Sequence, residues 1–483
     1  MNFRIVLRLL GLLLSFIGLT MSFALFWSLY YHDGSALSLL ISLALTIGAG
    51  GLLVGLGRFR KEELFRKEAL AVVGLSWLLV PAFGALPFVF SHTVPTYVDA
   101  YFEAMSGFTT TGSTVLPNIE SATPGILFWR SFTHWLGGMG IIVLFIAVLP
   151  FLGAGGRRLF RSEVSGPVSR GLTPRITETA LILWKIYILL SAIETLLLMV
   201  CGMSLFDALC HTFGTMATGG FSTKNASIGY YRSLPVDLII IVFMFLAGTN
   251  FALHYRLLKG AKLSHFRDVE WKAYVAILFF SVIFISGHLW VHQVYGTIGE
   301  TLRRGAFQVV SIMTTTGFTT ADFNLWPPGA KGLLVVLMFI GGCAGSTGGG
   351  MKVVRIVMLL KIARFHVEKI YSPRTIRKVR LGGVVVEDEA IVATLSFFFL
   401  FILVFVIASL VVLALGLDLV TGVSAVAATL NNIGPGLEKV GAIEHYAHVP
   451  EIGKVVLSLC MAMGRLELFS ILILFVPMFW QRK

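Results

Sequence analysis

Long uninterrupted apolar runs, rather than alternating or amphipathic patterns, dominate this chain. A helix needs about 20 residues to cross the roughly 30 Å hydrocarbon core of a bilayer. Ten segments reach that length: 5–30, 36–57, 68–90, 126–152, 181–206, 236–258, 273–291, 332–361, 390–416 and 455–479. The first follows Arg4 and Arg8, as the core of a signal peptide would. It is longer than the about 7–15 residues of such a core and lacks a small-x-small cleavage pattern, so it reads as the first membrane helix. Four further apolar segments, 98–110, 206–218, 304–315 and 421–432, have only half the length of a span.

Composition agrees with a membrane protein. Of 483 residues, 56% are hydrophobic and 13% charged, against about 45–50% and about 25% in soluble chains. The mean hydropathy is +0.86. Lys and Arg outnumber Asp and Glu by 13, yet 29 of the 38 basic residues fall in 1–8, 58–67, 153–185, 256–272, 352–380 and the C terminus. These are alternate connections of a ten-span chain, so the excess follows the positive-inside rule and puts both termini in the cytoplasm. No solvated basic face is left to bind nucleic acid. Cys201, Cys210, Cys343 and Cys460 have no paired spacing and read as packed thiols, not as a disulfide or zinc framework.

The four half-length segments all lie in connections assigned to the outside. If one crossed fully, every later basic loop would change sides, so they are expected to dip in and return. Irregular backbone at that depth is tolerated only where protein covers it or where it lines a water-filled path. The segments run into related loops: Phe108-Thr109-Thr110-Thr111-Gly112, Met216-Ala217-Thr218-Gly219-Gly220-Phe221-Ser222-Thr223, Thr314-Thr315-Thr316-Gly317-Phe318-Thr319-Thr320 and the divergent Leu430-Asn431-Asn432-Ile433-Gly434-Pro435-Gly436. Matching Gly-Phe-Ser-Thr to Gly-Phe-Thr-Thr aligns Gly112, Gly220, Gly317 and Gly434, spaced by 108, 97 and 117 residues. The fold class is therefore an all-α polytopic membrane protein of ten transmembrane helices. Four pseudo-symmetric helix, re-entrant loop, helix repeats surround one pore, preceded by two extra helices. The expected units are 1–66, 67–175, 176–262, 263–380 and 381–483. A glycine at φ above zero lets successive carbonyls face one axis, and four such loops make carbonyl rings able to replace a cation's hydration shell. Each half-helix points its partly negative C-terminal end at its loop. Asp99 and Asp207 suit the starts of the first two.

The eighth span carries six glycines within 341–350, each weakening a helix by about 1 kcal/mol relative to alanine. It is expected to unwind near mid-membrane, making Gly345, Ser346, Thr347, Gly348, Gly349 and Gly350 a candidate gate; close packing of small residues is the alternative. The stretch lacks the Gly-Lys-Ser/Thr ending of a phosphate loop, so no nucleotide site is expected on this chain. Lys352 and Arg355 mark the approach to the cytoplasm. Gly137, Gly138 and Gly140 fit close helix packing. Arg465 lies about ten residues into the last span, where an unshielded charge costs at least about 2.5–3.5 kcal/mol. It is expected to face the pore as a charge plug or, alternatively, to pair with another helix; Glu467 sits on a different face. Glu103, Glu194, His134, His211 and His254 are scattered, without catalytic or metal-binding spacing, so no enzyme is indicated.

The four loops, the run from Gly341 to Lys352, and Met463-Gly464-Arg465-Leu466-Glu467 together resemble the Trk/Ktr/HKT superfamily of potassium transporters, within it the TrkH branch. The resemblance implies potassium uptake by a homodimer in the bacterial cytoplasmic (inner) membrane, each subunit with its own pore, gated by a cytosolic nucleotide-binding regulator of the TrkA type. It assigns the coordinating carbonyls to Thr110, Thr111, Thr218, Gly219, Thr315, Thr316, Asn432 and Ile433, beside the four aligned glycines. Glycine rather than serine at 112 favours K⁺ over Na⁺. The same resemblance makes the basic stretch 361–380 the regulator's docking face, although topology alone also accounts for it. Coupled symport with H⁺ or Na⁺, or a weakly selective cation channel, stays open.

Overall fold

In the computed structural model, residues 1–57, 65–138, 140, 176–261, 263–372 and 378–481 are described. Among them the regular structure is helical apart from one hairpin, β1 (Arg380–Leu381) and β2 (Val384–Val385), paired antiparallel with Arg380 opposite Val385. Six of the ten expected spans are helices long and apolar enough to cross a membrane, or up to eight spans if each bent pair counts as one. The six correspond to α1 (Phe3–Tyr31), α2 (Ala36–Leu56), α3 (Arg66–Gly84, prolonged by Leu86–Phe90), α6 (Ile176–Val200), α10 (Val269–Val291) and α14 (Asp388–Ala414).

Three expected spans are broken. The run 236–258 divides into α8 (Leu234–Ala247) and α9 (Phe251–Leu258), bent by 98°. At the break Asn250 caps the second piece, its side chain accepting the Ala252 N–H at 2.9 Å. The run 332–361 divides into α12 (Pro328–Met338) and α13 (Val353–Tyr371). The run 455–479 starts earlier than expected as α16 (Glu451–Arg465) and turns by 119° into a short continuation. Glu467 and Leu468 there take φ of +54° and +64°. The remaining span is described as α5 (Pro124–Gly138); its second half lies outside the described residues.

The half-length segments are short helices: α4 (Tyr97–Phe108), α7 (Leu205–Met216), α11 (Ile298–Met313) and α15 (Leu419–Leu430). The third begins earlier than its apolar run because its first turns are polar. There Arg303 Nε donates to Asp237 Oδ2 at 2.7 Å, and Arg304 lies one turn from Glu300. Phe102, Phe108, Trp129, Phe132 and Phe213 fill the core between α4, α5 and α7, while Phe307, Met313 and Phe318 belong to a second core around α11. Outward faces stay apolar: Phe279, Phe280, Phe399 and Leu410 are all exposed, as a wall facing lipid requires. Cys210, Cys343 and Cys460 are buried free thiols and Cys201 is half-buried.

Candidate ion-conduction site

Each short helix is fixed at its start by a side-chain cap. Thr96 accepts the Asp99 N–H at 3.1 Å, Ser204 that of Asp207 at 3.1 Å, and Thr297 that of Glu300 at 3.2 Å. These three follow the capping-box spacing of a hydroxyl and an acid three residues apart. In the fourth, Asp418 is itself the cap, accepting the Thr421 N–H at 3.1 Å.

The four ends share one closure. Thr110 N–H donates to Gly107 O at 3.0 Å and Thr111 N–H to Ser106 O at 2.8 Å. The same pair of bonds recurs at Thr218 and Gly219 (2.9 and 2.8 Å), Thr315 and Thr316 (3.0 and 2.9 Å), and Asn432 and Ile433 (3.3 and 2.9 Å). This is the Schellman pattern, whose left-handed position usually holds glycine. Here it holds Thr110, Thr218, Thr315 and Asn432, with φ of +54°, +55°, +59° and +55°. A β-branched residue there is strained by about 1–3 kcal/mol. The sequence reading assigned positive φ to the glycines alone and missed these residues; of the four, only Asn432 has a type that tolerates the conformation.

Two residues later the chain reverses again, at Gly112, Gly220, Gly317 and Gly434, with φ of +87°, +79°, +81° and +97°. The empty space beside each glycine is occupied by a carbonyl of the next loop. A Cβ on Gly112 would lie 2.1 Å from Gly219 O, one on Gly220 2.1 Å from Thr316 O, one on Gly317 1.8 Å from Ile433 O, and one on Gly434 2.8 Å from Thr111 O. Loop one meets two, two meets three, three meets four and four meets one, so the loops close on themselves. All four glycines line one cavity, whose wall also includes Lys224, Glu444 and His445. The twelve loop residues singled out in the sequence are thus brought together.

Cross-links hold the loops in register. His134 Nδ1 donates to Gly107 O at 2.8 Å, and its Nε2 accepts the Phe221 N–H at 3.2 Å, which fixes a neutral tautomer joining loops one and two. Asn432 Nδ2 donates to Thr111 Oγ1 at 2.9 Å and to Met461 O at 2.9 Å. Tyr446 OH and Ser113 Oγ both donate to Gly434 O, at 2.8 and 3.0 Å. Glu103 belongs to this framework: it pairs with Arg130 Nε at 2.6 Å and accepts the Val115 N–H at 2.8 Å, while Arg130 donates to Ser222 O at 3.0 Å and lies 3.5 Å above the Phe221 ring. Arg130 is buried although it sits near the start of a span, and nothing in its sequence surroundings distinguishes it.

Beneath the loops, residues 339–352 carry no helix. Gly341 N–H donates to Met351 O at 2.9 Å, pinching the segment's ends together. Cys343 N–H donates to Gly248 O at 2.9 Å, and Thr347 Oγ1 to Ala247 O at 3.1 Å, using carbonyls freed by the α8–α9 break. Gly349 N–H donates to Thr315 Oγ1 at 2.7 Å, so the segment hangs directly from the third loop. Lys352 and Arg355, expected to mark the approach to the cytoplasm, bond within the protein. Both are buried, Lys352 donating to the Gly348 and Gly349 carbonyls and Arg355 pairing with Glu467.

Arg465 completes the arrangement. Its guanidinium donates to Thr347 O at 2.6 Å, Thr110 Oγ1 at 3.1 Å, Gly137 O at 2.6 Å and Gly138 O at 2.7 Å. It therefore joins the first loop, the unwound segment and the end of α5. Gly137 and Gly138 are packing glycines as expected: a Cβ would lie 1.9 Å from Phe108 O and 2.7 Å from Ala217 Cα, respectively.

The family model described as "TrkH: Cation transport protein" matches residues 39–482. The Trk system potassium uptake protein TrkH of Halomonas elongata is 42% identical, with 100% of both chains covered. That of Escherichia coli K12 is 40% identical, again over 100% of both. The crystal structure of the potassium transporter TrkH from Vibrio parahaemolyticus superimposes with a TM-score of 0.90 at 38% identity, covering 100% of both chains. The chain belongs to the TrkH family of cation transport proteins, multi-pass membrane proteins that move ions rather than catalyse reactions.

Proposed function

We propose that this protein takes up K⁺ across the bacterial cytoplasmic membrane through a selectivity filter made by the four loops. The observation that carries the reading is the cyclic approach of Thr111, Gly219, Thr316 and Ile433 carbonyls to the glycines of neighbouring loops. Carbonyl oxygens converging from four sides replace water around a dehydrated cation, and the C-terminal ends of α4, α7, α11 and α15 add negative potential. The carbonyls of Thr110, Thr218, Thr315 and Asn432 form the next ring inward. In this reading ten spans, two extra helices followed by four repeats, surround the path, with the expected repeat boundaries and both termini cytoplasmic.

The gate is the segment Gly345–Gly350 together with Arg465. The guanidinium lies between the first loop and Thr347, where its positive charge raises the barrier to any cation leaving the filter. Conduction needs both to move aside. Names of the relatives, each a component of a "Trk system", support partner components; in this reading the partner is a cytosolic TrkA-like nucleotide-binding regulator acting on the basic stretch 361–380, within a homodimer. In that stretch Lys361, Arg364, Lys369, Lys378 and Arg380 are described, whereas Arg374 and Arg377 lie outside the described residues.

Uptake of ⁸⁶Rb⁺ into proteoliposomes, with K⁺ or Na⁺ as competitor, tests the reading. K⁺ should compete far better than Na⁺. Equal competition would leave a weakly selective channel, dependence of uptake on a H⁺ or Na⁺ gradient would mean coupled symport, and no flux with the regulator present would defeat the reading.

A further inference from the structure

The gate segment has little intrinsic shape: six of the ten residues 341–350 are glycine. Its conformation must be imposed from outside, and one imposing group does not border the path. Glu270, in the first turn of α10, accepts two backbone N–H groups with the same carboxylate oxygen, Ala344 at 2.7 Å and Val354 at 3.0 Å. Ala344 lies at the segment's entrance. Val354 lies beyond its exit, in the first turn of α13.

The second of these bonds supplies something α13 cannot provide for itself. Its N-cap is Lys352, which makes no side-chain capping bond, and a lysine has no acceptor to offer an unsatisfied helix N–H. Glu270 therefore caps α13 from another helix, placing a carboxylate at the positive end of the α13 dipole. Because the same oxygen also holds Ala344, the two ends of the segment are tied to one point. The neighbouring charges are Lys352 and Asp268. Glu270 is also next in sequence to a residue near the β1–β2 hairpin: a Cβ added to Gly382, in its turn, would lie 3.6 Å from Val269 Cγ2.

We propose that Glu270 is a latch that keeps residues 343–350 in their obstructing conformation, and that its release frees the entrance and exit of the segment together. The proposal rests on the reading of Gly345–Gly350 with Arg465 as the gate. Glu270 is a positioning residue, since it acts on the path only through the segment it holds.

The test uses the full-length protein in liposomes, with wild type, Glu270→Ala and Glu270→Gln measured in parallel by hydrogen exchange over residues 341–354 and by ⁸⁶Rb⁺ flux without regulator. Loss of charge-assisted bonds at both ends should speed exchange in that segment by at least about tenfold in Glu270→Ala, with unstimulated flux rising several-fold. Glu270→Gln, whose neutral oxygen still accepts, should fall between. Exchange unchanged from wild type, or faster exchange with flux no higher, would overturn the latch. If Glu270→Ala does not fold, Glu270→Gln decides alone: a rise in both quantities supports the proposal and a rise in neither overturns it. Wild-type flux reports separately on the conduction reading, while the latch stands on the difference between variant and wild type.

Discussion

At the residue scale, glycine and threonine divide the work in the loops. Gly317 is where a side chain is least tolerable, because a Cβ would lie 1.8 Å from Ile433 O. Gly317→Ala must displace that carbonyl and also strain a backbone at φ +81°. It is expected to cut ⁸⁶Rb⁺ flux by more than about tenfold and to destabilise the protein by about 1–3 kcal/mol, read by flux assay and thermal melt. Arg465→Ala removes the hydrogen bonds to Thr347 and to Thr110, so unstimulated flux should rise; unchanged or collapsed flux in a folded variant would contradict the plug. The glycines and Arg465 were legible in the sequence because a glycine between polar residues, or a charge in mid-span, is anomalous on its face. The left-handed threonines were not, since threonine disfavours that conformation and only the surrounding ring imposes it. Arg130 was equally silent, its role depending on a carboxylate 27 residues away.

At the scale of elements, caps and breaks position the loops. The expected half-helices match α4, α7 and α15 closely, because each is an apolar run bounded by a cap and a glycine loop. The α8–α9 break was not foreseen: averaged over a span the run 236–258 is apolar although Gly248-Thr249-Asn250 interrupts it, so mean hydropathy hides what the Asn250 cap decides. The break in 332–361 was legible because glycine costs helix wherever it clusters. At the turn between α1 and α2, Asp33 joins the N-terminal pair to α5 by accepting the Gly125 N–H at 2.6 Å, as well as bonds from Ser28 and Ser35. Burial alone would raise its carboxyl, but these hydrogen bonds outweigh it and hold the group below the usual aspartate value. Asp33→Ala should lower stability by about 2 kcal/mol in a detergent melt. The sign of the pH effect follows from the depression. The contribution is fully present above the unfolded value of about 3.9 and is lost as pH falls through the lower folded value, so the mutant and wild-type melts should converge only in acid.

At the scale of the whole molecule, four segments distant in sequence form one closed ring, and buried pairs lock the repeats together. The Glu103–Arg130 pair lies between loops one and two with neither side chain more than 1% exposed. Glu103→Gln leaves the guanidinium uncompensated and should cost about 3–5 kcal/mol, whereas Glu103→Gln with Arg130→Met should recover part of that loss, as a double-mutant cycle in thermal melts would record. The central claim is that the ring binds the transported ion. Its most direct test is the anomalous density of Rb⁺ or Tl⁺ in crystals of the protein. The account predicts a peak on the axis of the ring, bounded by the carbonyls of Thr111, Gly219, Thr316 and Ile433 and displaced by K⁺ but not by Na⁺. A conducting protein with no such peak, or with its only peak away from these carbonyls, would contradict it.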